Sequence, residues 1–190
     1  MMEINSMNKK QLRKEVLTAR DSLTSEERDK AAILLTERIC GHQWFYLSDI
    51  ILAFVSYGSE IDTTEIIRES LKLGKKVYVP KVEGEDMNFY RITDMSELIE
   101  GYKGILEPDG KSDRYEYHEG NAGNTLMLMP GAVFDKMRNR IGYGKGFYDR
   151  FLDGKEALQL RTIGVGYQCQ MVEELPAEDW DIKPYQVICV

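Results

Sequence analysis

Histidine, cysteine and proline are scarce in this sequence. Its 190 residues include 2 histidines, 3 cysteines and 5 prolines. The cysteines Cys40, Cys169 and Cys189 are scattered and form no C-x-x-C pair, which argues against a zinc site or a disulfide framework. We therefore expect a protein of the reducing cytoplasm, in which the three thiols are small packed side chains.

Long apolar runs and an excess of basic charge are also missing. No stretch reaches the roughly 18 apolar residues of a membrane-spanning helix, and the polar residues 1–10 lack the apolar core of an export signal. We expect neither membrane association nor export. The 25 basic residues are outnumbered by 32 acidic ones, for a net charge of −7. This balance disfavours a nucleic-acid partner, although a local basic patch can still bind phosphates.

The length and composition are typical of one compact globular domain. A share of 43% hydrophobic and 30% charged residues lies in the globular range. A chain of this size buries about 70% of its unfolded surface without disulfides or metals. We find no internal repeat, low-complexity tract or linker, so we expect residues 1–190 to form a single domain and a monomer.

The hydrophobic pattern predicts an α/β fold. Two N-terminal helices are indicated, the first by the stripe Leu12, Val16 and Leu17, the second by the capping box that begins at Thr24 and includes Glu27. A strand–helix–strand order then favours a three-layer, Rossmann-like arrangement, with a mostly parallel sheet flanked by helices. The expected strands of this sheet are 50–55, 77–80, 126–129 and 162–166. Further strands are expected at 87–92 and 187–190, and a long loop at 100–124.

One segment departs from what a hydrophobic core requires. Glycines alternate at positions 142, 144 and 146, just before a helix-like stretch at 147–152. Glycine removes the Cβ that would block a close ligand, and Arg138, Arg140 and Lys145 add positive charge. The combination indicates a triphosphate cradle, although it matches neither standard nucleotide fingerprint. A glycine-rich turn with solvated charges is the alternative.

Asp149 follows this glycine run by three residues. A carboxylate there could hold Mg²⁺ against bound phosphates. The alternative is an exposed acidic residue in the first turn of a helix, where the helix dipole favours it.

The same segment resembles the signature of a known enzyme family. Residues 130–135 read Pro-Gly-Ala-Val-Phe-Asp, and residues 140–152 read Arg-Ile-Gly-Tyr-Gly-Lys-Gly-Phe-Tyr-Asp-Arg-Phe-Leu. Both resemble the 5-formyltetrahydrofolate cyclo-ligase (methenyltetrahydrofolate synthetase) family, as do weaker matches at 9–13, 59–63 and 175–181. The resemblance implies ATP- and Mg²⁺-dependent cyclisation of 5-formyltetrahydrofolate to 5,10-methenyltetrahydrofolate, with release of ADP and phosphate.

The resemblance also implies roles for individual residues. It implies ATP contacts at Lys9, Lys10, Gln11, Leu12, Arg13, Arg140, Ile141, Gly142, Tyr143, Gly144, Lys145, Gly146, Phe147 and Tyr148. It implies contacts to the folate substrate at Tyr57, Glu60, Asp62, Tyr143, Gly144, Lys145, Gly146 and Phe147. It implies catalytic charge neutralisation by Arg140 and Lys145, and Mg²⁺ ligands at Asp149 and Asp181.

The residues alone leave alternatives open. Lys9 and Arg13 fit a solvated basic helix face, Asp62 fits a helix cap, and Asp181 lies in an acidic stretch that would otherwise be solvated. Two other functions also remain. One is a nucleotide-binding module that has lost turnover, and the other is an enzyme similar to sugar-phosphate isomerases.

Overall fold

The computed structural model describes residues 8–101, 104–176 and 181–190. Its helices are α1 (Lys9–Asp21), α2 (Ser25–Cys40), α3 (Gln43–Leu47), α4 (Thr64–Lys72), α5 (Glu119–Ala122), α6 (Phe147–Leu152) and α7 (Glu156–Gln159). Its strands are β1 (Ile50–Leu52), β2 (Lys76–Glu83), β3 (Asp86–Ile92), β4 (Ile99–Glu100), β5 (Leu106–Glu107), β6 (Thr125–Pro130), β7 (Val133–Asp135), β8 (Arg140–Ile141), β9 (Thr162–Gly166), β10 (Met171–Val172) and β11 (Gln186–Cys189).

Six of the described strands form the main sheet, in the order β11-β9-β6-β1-β2-β3. Every neighbouring pair is parallel except β2 and β3, which form an antiparallel hairpin at one edge. A smaller sheet has the order β10-β7-β8, and β4 pairs with β5. The predicted α/β class with a mostly parallel sheet is confirmed.

Alternate residues of the central strands face two separate apolar layers. Ile51 and Leu128 point to one face, where they pack with Leu35 of α2 and Ile66 of α4. Their chain neighbours point to the other face, where Met127 and its neighbours pack against α6 and α7. Because both faces are covered, these strands read as continuous apolar runs in the sequence. The three-layer arrangement is therefore also confirmed.

The structure shortens one predicted strand and fills one predicted loop. β1 ends at Leu52 rather than at residue 55, and beyond it the hydroxyl of Thr63 donates to the carbonyl oxygen of Phe54 at 2.6 Å. The segment 100–124 contains β5 and α5. It also buries Tyr115, whose amide donates to the carbonyl oxygen of Phe89 at 2.7 Å.

Both N-terminal helices begin at side-chain caps. The side chain of Asn8 accepts a hydrogen bond from the backbone of Gln11 at the start of α1. The predicted capping box is present at the start of α2, where Thr24 and Glu27 satisfy each other's backbone groups. None of the helices within the described ranges is long and apolar enough to cross a membrane.

The chain passes from the carboxyl end of β6 directly into the small sheet. Phe134 on β7 is fully buried against the main sheet, next to Gly164 of β9. A Cβ atom at Gly164 would lie 2.7 Å from the ring of Phe134 and 3.0 Å from Pro184. The missing side chain on β9 therefore lets the small sheet, and the glycine segment after it, lie close to the main sheet.

We expect Gly164→Ala to lower the free energy of unfolding by about 1–3 kcal/mol, the usual cost of overpacking a core. Gly123→Ala is the matched control, because nothing lies within 4 Å of its added Cβ, and we expect it to change stability by less than about 0.5 kcal/mol. Urea unfolding of both variants checks this. Equal stability of the two variants would contradict the close approach of Phe134 to β9.

Candidate functional site

A cavity of about 410 Å³ opens beside the carboxyl end of β6. Open parallel sheets form their ligand crevices at such edges. The cavity is lined by Lys9, Arg13, Pro130, Arg140, Ile141, Gly142, Tyr143, Gly144, Lys145, Gly146, Phe147, Tyr148, Asp149, Arg150 and Asp181. It therefore brings together the glycine segment, two cations of α1 and the two aspartates expected to bind metal, although these lie in three distant parts of the sequence.

A buried carboxylate fixes the turn that leads into the glycine segment. Asp135, at the end of β7, is 1% exposed. Its oxygens accept hydrogen bonds from the backbone and side-chain amides of Asn139, at 2.8 and 2.6 Å, and from the backbone amide of Leu175 at 2.9 Å. One side chain thus closes the β7–β8 hairpin and ties it to the segment that precedes Asp181.

The glycine segment needs glycine for two distinct reasons. Gly144 and Gly146 have φ angles of 91° and 65°, which residues with a Cβ rarely adopt. At Gly144 a Cβ would also lie 2.5 Å from a terminal nitrogen of Arg13. The loop therefore bends around the arginine of α1 and leaves its own backbone open to the cavity.

A buried ion pair lies below this loop. Arg140, whose side chain is 4% exposed, donates to Asp149 at 2.9 Å and to the carbonyl oxygen of Pro130 at 3.2 Å. The Nε atoms of Arg13 and Arg140 are buried and have no hydrogen-bond partner within the described residues. Buried donors without partners are costly, and both belong to side chains that line the cavity. An anionic ligand in the cavity is the natural partner for such groups.

A second ion pair joins the two chain ends across the cavity. Nζ of Lys9 lies 2.6 Å from a carboxylate oxygen of Asp181, and both side chains are about a quarter exposed. Both carboxylates expected to bind metal therefore lie beside cations expected to bind phosphate.

The segment 57–62 approaches the glycine loop through Tyr143. Burial raises the pKa of Glu60, although hydrogen bonds from the Tyr143 side chain and the Tyr57 backbone and the charge of Arg20 oppose the shift. Burial and the neighbouring Glu60 charge likewise raise the pKa of Tyr143. Burial therefore favours the protonated form of both groups.

Asp62 is placed differently from Glu60. Its carboxylate accepts hydrogen bonds from the backbone of Thr64 at 2.8 Å and from the hydroxyl of Ser56 at 3.0 Å. Burial acts in the opposite direction, but these hydrogen bonds hold the pKa of Asp62 below its ordinary value. These contacts match the alternative assignment of Asp62 as a cap at the start of α4.

Three of the expected ATP contacts lie outside the cavity lining. Lys10 and Gln11 are exposed on α1, and Leu12 is buried against Val133 and Ile141 of the small sheet. None of the three lines the cavity. Tyr57, Glu60 and Asp62 also lie outside it, on the neighbouring loop. The Asp179-Trp180 part of the C-terminal match lies outside the described residues.

The sequence reasoning missed two arginines at the site. Arg150 lines the cavity and donates to the carbonyl oxygen of Lys145 at 2.8 Å, which holds the glycine loop against α6. Arg20 is 6% exposed and donates to Tyr143. The only local signal for Arg20 is its spacing, since it lies seven residues after Arg13 and so on the same helix face.

The donor set is compatible with magnesium bound together with a nucleotide. No group of three or more potential protein ligands for a metal occurs within the described ranges. Magnesium is usually held by one or two carboxylates, with water and substrate phosphates completing its coordination. Asp149 and Asp181 in one cavity meet that requirement without a protein cage.

Known proteins match this chain over almost its whole length. The model of the 5-formyltetrahydrofolate cyclo-ligase family matches residues 5–190. The chain is 30% identical over 189 residues to the mouse 5-formyltetrahydrofolate cyclo-ligase, covering 95% of this chain and 92% of that protein. It is also 30% identical over 166 residues to the enzyme of Escherichia coli K12, covering 86% of this chain and 90% of that protein.

Solved structures agree with these sequence matches. The NMR structure of the Aquifex aeolicus 5,10-methenyltetrahydrofolate synthetase superposes with a TM-score of 0.79 at 32% identity, covering 94% of this chain and 87% of that one. A Mycoplasma pneumoniae 5,10-methenyltetrahydrofolate synthetase shares the fold, with a TM-score of 0.73 at 22% identity and coverage of 96% and 98%. By its sequence over almost its whole length and by its fold, this chain belongs to the 5-formyltetrahydrofolate cyclo-ligase family.

Proposed function

We propose that this protein is a 5-formyltetrahydrofolate cyclo-ligase that converts its substrate to 5,10-methenyltetrahydrofolate, using ATP and releasing ADP and phosphate. One observation supports it beyond family membership. A single cavity gathers a glycine loop, cations with unpartnered donors and two carboxylates, which is the set that phosphoryl transfer requires. We further propose that residues 1–190 act as a single domain and as a monomer.

The chemistry needs an activated formyl oxygen. A formyl group on nitrogen is a poor electrophile, and its oxygen is a poor leaving group. Transfer of the γ-phosphoryl group of ATP to this oxygen turns it into a phosphate ester and releases ADP. N10 of the folate then attacks the formyl carbon and closes the ring, its proton is lost to solvent, and phosphate leaves. Such a reaction asks the protein mainly to position the reactants and to neutralise charge.

The cations of the cavity fit the role of phosphate contacts. Arg13 and Arg140 carry the unpartnered Nε donors, and an arginine can bind two phosphate oxygens at once. Lys145 is exposed on the glycine loop and can turn its ammonium group toward the nucleotide. We propose Arg140 and Lys145 as the groups that neutralise the charge of the transferred phosphoryl group.

Asp149 and Asp181 are the residues that would hold magnesium. Bound magnesium would neutralise part of the charge of the nucleotide phosphates. Asp149 pairs with Arg140 and Asp181 with Lys9 in the structure. We propose that these cations exchange a carboxylate partner for phosphate oxygens when the nucleotide binds, so that little charge stays uncompensated at either stage.

Glu60 and Tyr57 are proposed to contact the folate. Tyr57 is 45% exposed and offers apolar surface to a flat heteroaromatic ring. Glu60 has a raised pKa and is partly buried beside Tyr143, so its carboxyl can exchange hydrogen bonds with the pterin or its neighbouring amide. Asp62 remains a weaker candidate, since its carboxylate already bonds Thr64 and Ser56.

The direct test is turnover by the purified protein. We expect methenyltetrahydrofolate, followed by its absorbance, to form only when ATP and 5-formyltetrahydrofolate are both present, with one ADP released per product. A nucleotide-binding module without turnover would bind ATP and form no product. Absence of the product, or ADP release that does not depend on the folate, would overturn the proposal.

Two variants should separate the nucleotide and folate contacts. We expect Lys145→Ala to raise the KM for ATP more than that for the folate, and Glu60→Gln to do the reverse. In each variant, the KM that is affected more should rise about five- to hundred-fold, as expected for one lost hydrogen bond. Lys136→Ala is the control, since this exposed lysine pairs with Glu173 away from the cavity. If both variants change both KM values equally, the spatial division is wrong.

Asp149→Asn tests the metal ligand and its ion pair together. The amide keeps an oxygen for Arg140 but loses the charge that holds a hard cation. We expect the Mg²⁺ concentration for half-maximal rate to rise. Calorimetry without magnesium should show ATP bound at least as tightly as by the wild type, because Arg140 no longer has an anionic partner.

Asp153→Asn is the control for this experiment. Asp153 is exposed just after the end of α6 and does not line the cavity. We expect it to leave both measurements unchanged. An unchanged magnesium titration in Asp149→Asn would return Asp149 to the role of a first-turn helix residue.

A further inference from the structure

One face of α1 runs along the whole candidate site. Lys9, Arg13 and Arg20 are spaced by four and seven residues, so they share a side of the helix. At about 1.5 Å of rise per residue, the first and last lie roughly 16 Å apart. Lys9 and Arg13 line the cavity, whereas Arg20 reaches the place where the glycine loop meets the 57–62 segment.

Arg20 bonds to both of these segments with one side chain. Its Nε donates to the hydroxyl of Ser59 at 2.9 Å, and its Nη1 donates to the hydroxyl oxygen of Tyr143 at 2.6 Å. Its guanidinium carbon also lies 5.7 Å from the centre of the Tyr143 ring. Ser59 in turn donates to Asp21, the last residue of α1. The 57–62 segment and the glycine loop are therefore both hydrogen-bonded to the end of α1.

The charge of Arg20 is buried without a direct ion pair. Its exposed fraction is 6%, and within the described residues no carboxylate lies at ion-pair distance from it. Burying a guanidinium is costly unless its donors are used. Here they are used by two hydroxyl groups, which points to the orientation of those groups as the role of this arginine.

The hydrogen-bond directions follow from the chemistry of the groups. Arginine can only donate, so the oxygen of Tyr143 accepts from Arg20 and has its single proton left for another acceptor. Glu60 is the acidic partner of Tyr143 on the facing loop. Arg20 thus leaves the Tyr143 proton for an acceptor such as the Glu60 carboxyl, one oxygen of which already accepts from the Tyr57 backbone at 3.0 Å.

Tyr143 has little else to hold it. It is 41% exposed and lies between Gly142 and Gly144, the second of which has a positive φ angle. A tyrosine between two glycines on a surface loop has soft backbone on both sides. The 2.6 Å bond from Arg20 therefore restrains the position of its ring, together with the neighbouring Glu60 side chain.

We infer that Arg20 is a positioning residue for the folate, which sets the Tyr143 hydroxyl and the Glu60 carboxyl in one arrangement at the boundary between the two loops. The inference rests on the proposed function, since it assigns the folate to the side of Glu60. Arg20 acts through Tyr143 and Glu60 and makes no contact with reacting atoms.

The experiment compares Arg20→Gln, Arg20→Lys and Tyr143→Phe with the wild type. We expect Arg20→Gln and Tyr143→Phe each to raise the KM for 5-formyltetrahydrofolate about ten-fold or more, the effect of one hydrogen bond involving a charged group. The KM for ATP should change less than about two-fold, since the phosphate contacts stay in place. Arg20→Lys should recover part of the folate affinity, because lysine can still donate to one of the two hydroxyls.

The double variant Arg20→Gln/Tyr143→Phe distinguishes positioning from general support of the fold. If Arg20 acts through Tyr143, the double variant should be no worse than the poorer single variant. A purely structural role would instead lower activity without a split between the two KM values. Arg161→Gln is the matched control, because this arginine binds Thr125 and Ser48 at the opposite, amino-terminal edge of the sheet.

The outcomes separate this inference from the proposed function. Failure of the wild type to form methenyltetrahydrofolate would remove the proposed function itself. Normal wild-type turnover together with an unchanged folate KM in Tyr143→Phe would overturn the inference alone. If Arg20→Gln does not fold, Tyr143→Phe still decides, since it removes one hydroxyl and keeps the ring. Additive effects in the double variant would also count against the inference.

Discussion

The geometry of the cavity depends on the buried carboxylate of Asp135. Three amide donors converge on it, two from Asn139 and one from Leu175. Asn139 leads directly to Arg140, and Leu175 begins the approach to Asp181. A charge that is nearly fully buried needs all of its hydrogen bonds, so the hairpin and the C-terminal segment must occupy these positions together. The hairpin side of the cavity and the position of Leu175 are thereby set by one residue that does not line the cavity.

Charge compensation explains how so many ionic groups share a small space. Arg140 is almost inaccessible and Asp149 only partly so, and each offsets the cost of the other. Lys9 and Asp181 repeat the arrangement at the rim. A site built in this way can hold a highly charged ligand without leaving strong uncompensated fields in its absence.

Local patterns predicted much of this structure, and contacts between distant segments account for the rest. Strands β6 and β9 could be predicted because burial on both faces makes them uniformly apolar. A loop from Gly142 to Gly146 could be predicted because alternating glycines favour neither helix nor strand, while its phosphate contacts stay a prediction. The early end of β1 could not be predicted, since residues 53–55 stay apolar and buried beyond the last strand residue. The pairing of Arg140 with Asp149 and the reach of Arg20 to Tyr143 likewise leave no local pattern in the sequence.

The placement of α1 has a consequence for cooperativity. The buried apolar side chains of this helix are Leu12 and Val16, which pack in the cluster of the small sheet. It also carries Lys9, Arg13 and Arg20, and all three leave together if the helix detaches. The placement of α1 and the positions of these three cations are therefore coupled. Any ligand that engages these cations adds its binding free energy to the local stability of the helix.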